Sequence, residues 1–392
     1  LAKFSEPNLN WSIFTMTHRE RVLTALAHKE PDRVPLDLGG SAYSINDAHY
    51  FKLKEYLGIQ GDIEPYRHGH TGNYYDERVL EALDIDCRHV GLRSPSNFKV
   101  QINPDGTFKD EWGIPMIRTG VYMSVVAHPL AGAAIDDIDS YPWPDPYAPG
   151  RTRGLREKAL HYRENTDYAL VARAPISVGL FEMGCFLRGT DVFLMDLVAD
   201  KPLAHRLLGK ISDVLLGLMD VYMDAIGDLV DIVTWGEDLA HQRGLFFSLE
   251  TYREMFKPYH SRIFSHVKRK APNARLMFHC CGSSRPLIPE LAEAGADIIQ
   301  SVQPLAANMD SFELKRDFGN LVSFQGGIDL QEAMIGSLAD VEKEVKTRIR
   351  AFAPGGGYIL TTSNNVQEDV PPENLVHLFR CAKEWGRYPI NI

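Results

Sequence analysis

The stretch Leu276-Met277-Phe278-His279-Cys280-Cys281-Gly282-Ser283-Ser284-Arg285 runs from apolar residues into a His-x-Cys pair and a glycine turn. It reads as a strand whose end carries chemistry, the arrangement found in enzymes of alternating strands and helices. Side chains alternate along an extended strand, so His279 and Cys281 share one face while Cys280 takes the other. An imidazole beside a thiolate favours zinc, which needs at least one further ligand from elsewhere in the fold. A buried histidine with two unreactive buried cysteines would give the same pattern, and two ligands alone do not decide between these readings.

Outward from this strand, short apolar runs alternate with helix-patterned segments. Strands are expected at Arg33–Leu38, Asp86–Gly91, Tyr168–Ala174, Asp231–Trp235, Arg275–Cys280, Ala296–Ser301, Leu321–Gln325 and Tyr358–Thr362. From the third onward each is rich in Val, Ile, Leu or Phe, as a buried parallel sheet requires. Eight such strands define an α/β fold, the (β/α)8 or TIM barrel, here as a single domain over residues 1–392. Thr17 followed by Glu20 makes a capping box for a helix that closes before Pro31. Residues 1–16 are a polar amino-terminal extension. The rhythm breaks at residues 92–150, an insertion after the second strand. There Asn103-Pro104-Asp105-Gly106 signals a hairpin, and Tyr141-Pro142-Trp143-Pro144-Asp145-Pro146 a stiff connection. This insertion is expected to cover the barrel mouth.

Composition narrows the function classes. The hydrophobic fraction of 44% and charged fraction of 24% are those of a globular protein with a large core. A formal net charge of −10 argues against a nucleic-acid groove or an anionic membrane surface as the main partner. Five cysteines, two of them adjacent, do not make a disulfide framework, so a reducing cytoplasm is the expected compartment. No leader pattern opens the sequence and no apolar run is long enough to cross a bilayer.

In a barrel, chemistry sits at the carboxyl ends of the strands. Those ends carry Asp37 and Ser41, then Glu182, then Glu237, Asp238 and His241, then His279 and Cys281. Gln303, Gln325 and Asp329 follow, and Ser363, Asn364 and Asn365 close the set. Singly each has a bland role: Asp37 could cap a helix, Gln325 and Asn365 could satisfy loop backbone, and acidic loop residues are usually solvated. Convergence around one mouth is what favours a metal-and-carboxylate pocket.

Several linked segments resemble the uroporphyrinogen decarboxylase superfamily. They are His18-Arg19-Glu20-Arg21-Val22, Asp32-Arg33-Val34-Pro35-Leu36-Asp37-Leu38-Gly39-Gly40, His279-Cys280-Cys281-Gly282-Ser283, Gln325-Gly326-Gly327-Ile328-Asp329 and Val370-Pro371-Pro372-Glu373-Asn374. The resemblance runs from about residue 17 to the carboxyl terminus and is closer to the corrinoid-dependent methyltransferases than to the haem-pathway decarboxylase. The decarboxylase pattern has an arginine-rich segment after the first strand, where this chain has Leu38-Gly39-Gly40-Ser41-Ala42-Tyr43. A substrate with many carboxylates would lose its bidentate partners there. The methyltransferase relatives hold zinc with a His-x-Cys pair, matched by His279 and Cys281, and a later cysteine. Asn364 stands near the place of that cysteine, so the site must recruit a carboxylate, Glu237 first and Asp238 second, or bind metal weakly, or bind none.

The resemblance implies a methyltransferase acting between a small-molecule heteroatom and cobalamin, with zinc as Lewis acid. Asp238, Asp329 and Glu182 are the candidate acids or bases. Asp37, Ser41, His241, Gln303, Gln325, Asn364 and Asn365 are the candidate substrate contacts. No Asp-x-His-x-x-Gly motif occurs, so the corrinoid is expected as a free cofactor or on a separate carrier protein. A homodimer is a further expectation of the resemblance. Two alternatives stay open: a metal-free decarboxylase or lyase of a small acid, and a non-catalytic tetrapyrrole- or corrinoid-binding protein.

Overall fold

The strands line up in chain order because each short apolar run is followed by an amphipathic helix that returns the chain to the same end of the sheet. The computed structural model describes residues 15–67, 70–120 and 122–392. Its main sheet is parallel and seven-stranded: β1 (Cys87–Val90), β2 (Ala169–Ala172), β3 (Ile232–Gly236), β4 (Arg275–Cys280), β5 (Ile298–Ser301), β6 (Ser323–Ile328) and β7 (Tyr358–Thr362). The sheet curls with helices outside it, a TIM-barrel-like fold. Cys87, Ala169, Ile232, Met277, Ile298 and Ile359 form one interior cluster, together with Val22 and Leu26 of the helix His18–Leu26. That helix begins at the expected Thr17–Glu20 capping box.

The first expected strand, Arg33–Leu38, is not a regular strand. It meets β7 through a single parallel bridge from Leu36 to Leu360, while its Leu36 carbonyl accepts from Asp86 N–H before β1. Two features explain the broken ladder. Pro35 has no N–H to give, and the Leu36 N–H goes to the Asp86 side chain at 2.7 Å rather than to backbone. Asp86 is fully buried and also receives Arg21 Nη1 at 2.6 Å and Arg33 Nη1 at 2.7 Å. One carboxylate thus ties the first helix, this segment and β1 into a seam between the sheet's two edges.

The insertion holds a three-stranded antiparallel sheet, Thr107–Lys109, Pro115–Thr119 and Tyr122–Val125. The Asn103–Gly106 turn exists but precedes the first of these strands; the hairpin turns lie further on, at Asp110–Gly113 and after Thr119. The Gly106 signal was therefore right for a turn and misplaced for the hairpin. Tyr122 reaches the barrel mouth, its hydroxyl 3.3 Å from Gln367 Oε1. Residues 1–14 of the expected extension lie outside the described residues. Among the described residues no helix is long and apolar enough to cross a membrane.

Candidate metal centre at the barrel mouth

The end of β4 carries His279 and Cys281 on one face, and parallel pairing sets their neighbours. His279 is in register with Gly236 of β3 and Gln300 of β5. From the β5 side, the Gln300 side-chain oxygen hydrogen-bonds His279 Nδ1. That bond places the ring proton on Nδ1 and leaves Nε2 free to face the cavity. From the β3 side, Asp238 Oδ1 lies 3.4 Å from His279 Nε2 and accepts the Cys281 N–H at 2.8 Å. Cys281 Sγ is 3.4 Å from the same Nε2. Donor atoms of Asp238, His279 and Cys281 all lie within 4.8 Å of one another.

Charge around this trio is tightly linked. Burial opposes protonation of His279, yet neighbouring Cys281 and Asp238 outweigh it and raise its pKa. Burial by itself would raise Asp238, but the His279 ring and the Cys281 N–H hold its carboxyl below the usual range. Glu182, in the helix Leu180–Arg188, accepts the Asp238 N–H at 3.2 Å and the Gly179 N–H at 3.4 Å. Burial first, and the Asp238 charge second, push its carboxyl up to about 8, so it is a neutral acid at pH 7.

The trio fits a zinc ion by donor chemistry: nitrogen, sulfur and oxygen from three residues, with a fourth position left to the cavity, as in catalytic sites. Asn364 is not a ligand in this arrangement. Its side-chain oxygen accepts the Asn365 N–H at 2.6 Å, and its Nδ2 donates to Cys281 Sγ at 3.1 Å. It supports the sulfur with a hydrogen bond.

Glu237, the first choice for third ligand, is turned away from the trio. Successive side chains at a strand end face opposite ways, so only one of Glu237 and Asp238 can meet His279. Its oxygens accept from Phe181 N–H at 2.5 Å, Trp235 Nε1 at 3.2 Å and His260 Nε2 at 2.6 Å. Ser41, Asn364 and Asn365 line the cavity above the trio, which holds about 230 Å³. Gln303 and Asp329 line an adjoining cavity of about 420 Å³ that shares Thr71, Asn364 and Asn365 with the first. Asp329 caps the turn that follows it, accepting the N–H groups of Gln331, Glu332 and Ala333.

Asp37 and Gln325 do not reach substrate space. Both are fully buried, and Asp37 accepts from His89 Nε2 and Gln325 Nε2, each at 2.8 Å. His241 is exposed and borders neither cavity; its carbonyl instead accepts the Ser283 N–H beneath a close crossing of the chain. Gly282 makes that crossing at φ +76, where a Cβ would stand 2.5 Å from the His241 carbonyl oxygen.

Sequence reading missed Gln300, His260, Arg67 and His70. A polar residue inside the buried run Ile298-Ile299-Gln300-Ser301 was a legible signal for the first. The other three sit on a helix and a loop with no local pattern.

Taken together, the fold and the trio define a TIM-barrel-like chain with a candidate mixed-donor metal site at its mouth. The family model described as "Uroporphyrinogen decarboxylase (URO-D)" matches residues 117–385, and the chain belongs to that family. Curated relatives include the uroporphyrinogen decarboxylase of Trichodesmium erythraeum, 25% identical over 46% of this chain and 47% of its own length. That of Sodalis glossinidius is 25% identical over 62% of this chain and 66% of its own. The first of these relatives is matched over about half its length. Among solved structures, a methyltransferase from Methanosarcina mazei superposes with a TM-score of 0.62 at 17% identity, covering 94% of this chain and 99% of the other. This likeness establishes the shared fold.

Proposed function

We propose that this chain is an enzyme that moves a methyl group between a heteroatom of a small molecule and a corrinoid, at a zinc site held by Asp238, His279 and Cys281. The observation that carries the reading is the convergence of imidazole, thiol and carboxylate within 4.8 Å at the strand ends, with Gln300 orienting the ring from behind. When bound, zinc supplies Lewis acidity, which lowers the pKa of a coordinated thiol or stabilises a departing oxyanion. The protein's own groups do the rest.

His279 is held by Gln300, and Cys281 by the Asn364 amide, so neither needs to reorient on binding. Glu182 is the proton donor. Its Oε2 already accepts two backbone N–H groups, which assigns the proton to Oε1. From there it passes to a heteroatom that has lost its methyl group, and a thiol acceptor returns it in the opposite direction. The two cavities share a wall, so donor and acceptor can meet beside the trio. The corrinoid arrives free or on a separate carrier. The fold shared with the M. mazei methyltransferase supports this branch.

A second reading, decarboxylation of a small acid, draws on the name of the curated relatives and on the same protonated Glu182. The test is optical: cob(I)alamin and methylcob(III)alamin have distinct spectra, so transfer is followed directly with a panel of methyl ethers, methylamines and thiols. The methyl-transfer reading expects zinc-dependent conversion that falls at least about 100-fold in Cys281→Ala. Release of carbon dioxide from a small acid, with no conversion of either corrinoid, would favour the second reading.

A further inference from the structure

The acidic chain gathers uncompensated positive charge beside its cavity. Arg173 follows β2 and is only 6% exposed, yet its Nε and Nη2 have no hydrogen-bond partner. Its guanidinium lies over the rings of Tyr66 at 4.2 Å and Tyr75 at 4.6 Å. Arg67 lines the metal-centre cavity and places its own guanidinium 5.0 Å from the same Tyr66 ring. Arg67 Nε donates to the Gly72 carbonyl at 2.8 Å. Among the described residues neither arginine forms an ion pair with a carboxylate, in a chain with 52 acidic residues against 42 lysines and arginines. Lys158, over Tyr75 and Tyr162 at 5.6 Å each, adds a third cation to the cluster.

Aromatic faces offset part of the cost of burying a guanidinium. They do not satisfy its N–H groups, and unpaired buried donors in a native protein call for a partner. The partner that fits two planar forks is a carboxylate, taken bidentately. Burial and the charge of Arg173 disfavour protonation of Arg67, while the carboxylates that line the same cavity, Glu237 and Asp238, are hydrogen-bonded to other partners.

We propose that Arg67 and Arg173 form an anion subsite beside the metal centre that takes a carboxylate of the small-molecule substrate. Its place relative to methyl transfer rests on the reading above, but binding is tested without turnover. These arginines come from the loop after the helix Asp47–Tyr56 and from the end of β2, not from the segment after Arg33–Leu38.

The experiment measures binding of methoxyacetate and of its neutral amide, methoxyacetamide, by titration calorimetry on the full chain at fixed ionic strength. Inorganic phosphate is titrated alongside. Wild type is expected to prefer the acid by at least about 10-fold, since a site built for a charged partner rejects the analogue that lacks it. Arg67→Gln and Arg173→Gln should each abolish that preference, and Arg67→Lys should retain part of it. Arg173→Gln should also melt no lower than wild type, because it removes an unpaired buried charge. Equal binding of acid and amide, no binding of the acid, phosphate binding in its place, or full preference in either Gln variant would overturn the proposal. Carboxylate preference in a protein that never converts a corrinoid would leave the subsite standing and remove the methyl-transfer reading.

Discussion

At the scale of single residues, the division of labour between Glu237 and Asp238 decides the site. They are adjacent in sequence, and strand alternation sends one to the trio and the other into a buried network with His260 and Trp235. Sequence reading named both and ranked them the wrong way, because spacing gives alternation but not its phase. Glu237→Gln should cost about 2 kcal/mol of stability, the scale of losing hydrogen bonds to a buried charged acceptor, while metal content stays unchanged; denaturant unfolding and elemental analysis check the two halves. Glu182 supplies the second residue-level prediction. Glu182, its carboxyl near 8, holds its proton at pH 7 in metal-free protein, and against the effect of burial the neighbouring Cys281 and Asp238 raise His279. Metal binding requires the ligating atoms of His279 and Cys281 free of their protons, while Glu182, which is not a ligand, keeps its own as the proton donor. Zinc binding at pH 7 should therefore release protons, and Glu182→Gln should release as many, as read by calorimetry in buffers of different ionisation enthalpy.

At the scale of elements, seven expected strands have their counterparts, since each is a short buried apolar run between helices. The eighth was legible as a position but not as a broken ladder, because nothing local shows that the Leu36 N–H goes to a side chain fifty residues away. Asp86 holds that seam with Arg21 and Arg33, and Asp86→Asn should destabilise the chain by about 3–5 kcal/mol. A thermal melt checks it, with metal stoichiometry as the control for the site. The helix Asp47–Tyr56 carries a pH-sensitive element. His49 is fully buried, and burial lowers its pKa to about 4 from the usual 6.5. A depressed folded pKa leaves stability intact above about 6.5 and lost progressively as pH falls toward 4. The loss between pH 7.5 and pH 4.5 should reach about 2 kcal/mol. His49→Leu should flatten that part of the curve in urea unfolding across this pH range.

At the scale of the whole molecule, the barrel is what turns scattered strand ends into one site. Asp238, His279, Cys281 and Gln300 come from three neighbouring strands set side by side by parallel pairing, and the curl of the sheet brings Asn364, after β7, onto Cys281. The His-x-Cys pair and the strand-end carboxylates were visible in the sequence for this reason. Arg67 and Arg173 were not, because their meaning lies in unpaired burial, which composition does not reveal. The central claim is that the trio is a metal centre. It is tested most directly by elemental analysis of chelator-free protein, comparing wild type with Cys281→Ala, Asp238→Ala and Glu237→Gln. The account predicts near-stoichiometric zinc in wild type and Glu237→Gln, and its loss in Cys281→Ala and Asp238→Ala. Wild-type protein without zinc even after incubation with it, or zinc retained by Cys281→Ala, would contradict the account.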